Sequence, residues 1–112
     1  MMSEKVRIKL SYPTVFPDLN KLENLKDDHA RDYLEIERMR YGHIKEMQQV
    51  SPEQQTHWAI KKLTRLSDHD IDQLYTEDAA EVTKVIFSFI EKYFTLAKKM
   101  WSDEGNGNKS NK

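Results

Sequence analysis

The chain has 112 residues, 33% of them charged, and its 18 Lys and Arg almost cancel its 19 Asp and Glu. That length holds one domain with a modest core, and a net charge of −1 lacks the positive excess of a dedicated nucleic-acid binder. The absence of cysteine excludes a disulfide framework and thiolate chemistry. No apolar run approaches ~18 residues, and MMSEKVRIKL has no signal-peptide core. The expectation is a soluble, cytosolic protein that stays in the compartment where it is made.

Val6, Ile8, Leu10 and Tyr12 alternate with Lys5, Arg7, Lys9 and Ser11, the period of a strand with one buried face. Pro13 is expected to end it, and Pro17-Asp18 to start a turn. A lone strand needs a partner for its backbone groups. Val15-Phe16 and the segment Leu22 to Leu25 are the candidates, although the latter does not alternate. Strand or hairpin therefore stays open.

A helix is expected from about Asp28 to Gln49, capped by Asp27 or Asp28. Ala30, Tyr33, Leu34, Tyr41 and Ile44 share one face, with Glu37 interrupting it. Arg31, Glu35, Arg38, Lys45 and Glu46 make a mixed-charge outer side, read as a solvated surface. Ser51-Pro52-Glu53-Gln54 then predicts a helix start with a capping box. Ala59, Ile60, Leu63 and Leu66 fall on one side of that helix. Ser67-Asp68-His69-Asp70 is a second cap, opening a short helix with Ile71, Leu74 and Tyr75 inward. Thr76-Glu77-Asp78 is a third, with two acids to complement the helix dipole.

The last predicted helix runs from about Glu77 to Trp101. Val82, Val85, Ile86, Phe89, Ile90, Tyr93, Leu96, Ala97 and Met100 fall on one side, and Phe87, Phe94 and Trp101, spaced by seven, widen it. The apolar arc spans about 200°, where roughly 100° suffices for a helix lying on a core. Either the helix is central and wrapped by its neighbours, or the Phe87, Phe94 and Trp101 edge meets another chain. Ser102 to Lys112 carries no apolar side chain to bury and is expected to be a disordered tail after a single domain over residues 1–101.

Motifs for chemistry fail one by one. Asp68, Asp70 and Asp72 imitate the start of a calcium loop, but Gln73 stands where glycine is required and Ala79 where a bidentate glutamate is required. His29, His43, His57 and His69 lie 12 to 14 residues apart, with no spacing that presents a metal-binding pair. The three glycines, Gly42, Gly105 and Gly107, form no phosphate-cradling loop. No local pattern presents a nucleophile, so no enzyme activity, metal or cofactor is expected. Ala59 to Val85 can be drawn as a helix–turn–helix with Lys61, Lys62 and Arg65 as a basic patch. The acids that begin each following helix would repel phosphate, so a DNA-binding regulator is the weaker alternative; a dimeric adaptor is a third.

Four pieces in order carry a resemblance. They are Ile8 to Ser11 with Pro13; Arg31-Asp32 with Ile36-Glu37; Ala59-Ile60, Lys62-Leu63-Thr64, Leu66-Ser67, Asp70-Ile71 and Gln73-Leu74; then Asp78-Ala79, Glu81-Val82, Val85-Ile86 and Phe89-Ile90. Their order and spacing resemble the tail assembly chaperones of contractile-tailed phages and prophages, including Mu-like ones. The resemblance covers Ile8 to Ile90 and rests on the whole series, since no single piece is diagnostic. The family's second strand, with leucines alternating before Arg-x-Pro, has no counterpart; Leu22 to Asp27 stands in its place. The resemblance implies a non-enzymatic role in virion assembly. Its partners would be the tape measure protein, kept soluble, and the tail tube protein that polymerises around it, with a homo-oligomer as a further option and neither nucleic acid nor membrane. An apolar helix face covering another helix suits that role, and Phe87, Phe94 and Trp101 are the expected partner-binding residues. The expected fold is mainly α within α+β: a short N-terminal strand or hairpin, then about four helices, the last one long.

Overall fold

A computed structural model describes the backbone of residues 4–105 and the side chains through Lys98. The order is β1 (Lys5–Val15), α1 (Pro17–Leu22), β2 (Ala30–Glu37), α2 (Tyr41–Met47), α3 (Pro52–Thr64), α4 (Asp68–Ile71) and α5 (Thr76–Gly105). The fold is α+β: β1 and β2 form an antiparallel pair, with α1 in their connection, and four helices follow, ending in the long one. No helix among the described residues is long and apolar enough to cross a membrane.

β1 buries Ile8 and Leu10 as its alternation predicts, but it continues through Pro13 to Val15. The ladder explains how a proline is tolerated. Lys9 pairs with Tyr33 and Thr14 with Arg31, so Leu10 to Pro13 bulge opposite Asp32 alone. In a bulge, proline withholds no ladder hydrogen bond.

The largest departure from the expected elements is at Asp28 to Gln49. There is no single helix: Ala30–Glu37 is the second strand, and only Tyr41–Met47 is helical. Neither Val15-Phe16 nor Leu22 to Leu25 supplies a separate partner strand. Leu34 and Ile36 are buried, while Asp32 and Glu35 between and beside them are exposed. Tyr41, assigned to the buried stripe, is exposed, and Arg31, assigned to the outer side, is buried. Pairing with β1 outweighs a helical stripe that Glu37 already interrupted. Asn20, fully buried, sets the path into β2: its side-chain amide donates to the carbonyls of Asp27 (3.2 Å) and His29 (2.9 Å).

α3 begins at Pro52 behind Ser51, as expected, but the Ser51 side chain makes no cap bond. Gln55 ties the junction instead, donating to the carbonyls of Met47 (3.1 Å) and Val50 (3.0 Å). α3 ends with Arg65 in the left-handed region at φ 68°. The Thr64 hydroxyl accepts the Leu66 N–H at 3.2 Å and steadies this turn.

The core gathers Phe16, Leu10, Leu34, Ile36, Leu63, Leu66, Val82 and Ile86 from the hairpin, α3 and α5. Tyr75, expected inward, is exposed and packs its ring 4.8 Å from that of Tyr12. α5 runs to Gly105, four residues into the stretch expected as a tail. Residues 106–112, the remainder of that tail, lie outside the described residues.

Candidate functional site

Two buried carboxylates fix the direction of the helices. Phe16 stands at the N-cap of α1 and offers no side-chain acceptor, so the helix start has no local cap. The Asp70 carboxylate supplies one from α4, accepting the N–H groups of Leu19 (2.8 Å) and Asp18 (3.1 Å). In return the Ser67 hydroxyl donates to Asp18 Oδ2 at 2.6 Å, and Ser67 accepts the Asp70 N–H at 3.1 Å. Thus α4 caps α1, satisfying donors that α1 cannot satisfy itself, while Asp18 of α1 holds the hydroxyl of Ser67, the cap of α4. Asp18, His69 and Asp70 bring their ligand atoms within 4.8 Å, but both Asp70 oxygens are engaged by backbone donors. The cluster is a capping device.

Asp78 does the same for β1. Its oxygens accept the Ser11 N–H at 2.7 Å and the Tyr12 N–H at 3.2 Å, the donors that the bulge turns away from β2. It lies in the first turn of its own helix, as expected, and is in addition buried and bound to the strand. With its first turn held there, α5 leaves the body of the molecule on a fixed line.

On the surface, Asp68 accepts from His57 at 2.7 Å and lies 3.4 Å from Lys61. Those two contacts, His57 first, hold its carboxyl below the ordinary aspartate value.

The exposed face of α5 is its other side. Val82 and Ile86 are buried against the core, whereas Phe87 is 52% and Phe94 44% exposed. Both expected partner-binding rings that the structure describes are therefore on the surface; the side chain of Trp101 lies outside the described residues. Phe94 rests edge-on against Tyr93 at 5.0 Å, and Tyr93 lies 6.0 Å from Tyr41 of α2.

Phe87 and Ile90 stand between two open grooves. One is walled by Met47, Pro52 and Gln55 from α2 and α3 and by Phe94. The other is formed by Ala80, Thr83, Lys84 and Glu91 of α5 itself. Ile90, assigned to the core face, is half-buried and lines both, so it belongs to the surface as well as to the core. Leu96, also assigned to the core face, is exposed.

Ile90 could have been found from spacing. Ala80, Thr83, Phe87, Ile90, Phe94 and Ala97 advance by alternate steps of three and four, the spacing of a seam that meets another helix. Met47 and Pro52 carry no such signal, since only the packing of α2 and α3 brings them to the groove. Comparison of the chain with family models, with curated proteins and with solved structures returns no match.

Proposed function

We propose that this protein is a non-enzymatic tail assembly chaperone of a contractile-tailed phage or prophage, holding the tape measure protein soluble while the tail tube assembles around it. The observation that carries the proposal is the solvent-facing seam of α5. Phe87 and Phe94 are half exposed at heptad spacing, with an apolar groove beside them. Isolated surface apolar residues are ordinary, but aromatic rings aligned along one helix with a groove alongside form a surface for a partner. A long, helix-rich partner offers the matching shape: an amphipathic helix whose apolar face would otherwise aggregate. Support comes also from the four ordered sequence pieces, which lie in the elements that build the core and orient α5.

In this role no bond is made or broken. The chaperone covers the partner's apolar face and gives it up when the growing tube offers a better one, so moderate affinity and fast release are required. Co-expression with a tape measure protein is the test. A soluble complex, with the tape measure protein insoluble when expressed alone, is the expected result. Equal solubility with and without this chain, and no complex recovered, would exclude the role.

A further inference from the structure

We propose that a second copy of this chain covers the α5 seam in solution, the two helices lying antiparallel. The argument is the charge along the rim. Glu77, Lys84, Glu91 and Lys98 lie seven residues apart along one edge of the seam, all exposed, and their signs alternate. Among the described residues none of the four forms an ion pair within its own chain.

Reversing such a row gives its complement. In an antiparallel pair Glu77 faces the partner's Lys98 and Lys84 faces the partner's Glu91, and the two-fold axis repeats both contacts. In a parallel pair the two rows would lie on opposite edges of the interface and would not meet.

The apolar residues select a compatible alignment. Antiparallel packing sets Ala80 against the partner's Ala97, Thr83 against the partner's Phe94 and Phe87 against the partner's Ile90, with the bulkiest layers at the centre. The seam is centred between Ser88 and Phe89 and the charge row between Phe87 and Ser88. The centres differ by one residue, which offsets each charge pair by two residues, about 3 Å along the axis, a distance lysine and glutamate side chains readily span. The contact from Ala80 to Ala97 is about 26 Å long, and Met47 and Pro52 extend its apolar wall.

This pairing covers the seam assigned above to the tape measure protein. It rests on that assignment only in making the dimer a stored form that must open before the partner is covered. The experiment is sedimentation equilibrium of the full chain and of the variants Lys84→Glu and Glu91→Lys, with circular dichroism to check folding. Wild type is expected to dimerise, and each single variant to weaken dimerisation roughly tenfold or more, because like charges then face each other twice. Mixing the two single variants should restore association, since one chain then presents only carboxylates at these two positions and the other only ammonium groups. The double variant Lys84→Glu/Glu91→Lys should dimerise by itself.

A wild-type chain that stays monomeric up to its solubility limit overturns the proposal. So do single variants that associate as wild type does, or a mixture that fails to reassociate. Failure of the chaperone role would look different: the dimer and its charge-swap rescue would persist while no complex with the tape measure protein forms.

Discussion

Asp70 and Asp78 read in the sequence as helix caps, and capping is what Asp70 does; the helix it caps lies about fifty residues away in the chain. Local pattern shows that an aspartate at such a position accepts from backbone donors, but not which backbone. Asp70→Asn keeps the shape, yet sets an amide N–H₂ against one of two buried N–H groups. It should cost about 1–3 kcal/mol in chemical denaturation. Asp78→Ala strands the Ser11 and Tyr12 donors beside the bulge, with a loss of similar size. Asp68 is a contrasting case because it is exposed. Its folded-state value lies below 3.8, so its contribution to stability is present above that value and lost as pH falls through the lower, folded one. Asp68→Asn should lower stability slightly at neutral pH, match wild type at the acid end where the carboxyl is protonated, and lose the neutral-pH difference at high salt.

The elements divide by how local their causes are. β1, α3 and α5 were legible because alternation, a Pro at the first helical position and a long apolar arc act within each segment. β2 was not. Ala30–Glu37 alternates only over Leu34 to Ile36, and its identity as a strand comes from pairing with Lys5–Val15, which no local window contains. On α5 the wide arc divides: Val82 and Ile86 face the core, and Phe87 and Phe94 face outward. Stability should separate them. Ile86→Ala should cost about 2–5 kcal/mol. Phe87→Glu and Phe94→Glu together should cost under about 2 kcal/mol, most of it the edge contact of Phe94 with Tyr93. A melt that collapses in the double variant would show that these rings support the fold.

Across the whole molecule, the long-range carboxylate contacts join opposite ends of the chain. Asp70 binds α4 to α1 and Asp78 binds α5 to β1, so the hairpin and the helices form one core rather than two. Within one chain that body presents α5 in a set direction with Phe87 and Phe94 uncovered, so the proposed helix-rich partner, once it displaces the second copy, requires no rearrangement of the core. The candidate surface was legible as two rings at heptad spacing; its groove was not, because Met47 and Pro52 reach it only through packing. The most direct test is the affinity of the purified chain for a soluble helical segment of the tape measure protein, compared with that of Phe87→Glu/Phe94→Glu. The double variant should keep its circular dichroism spectrum and bind at least roughly thirtyfold more weakly, as expected for aromatic anchors at the centre of an interface. Equal affinity of the folded double variant would contradict the assignment of α5 as the working surface.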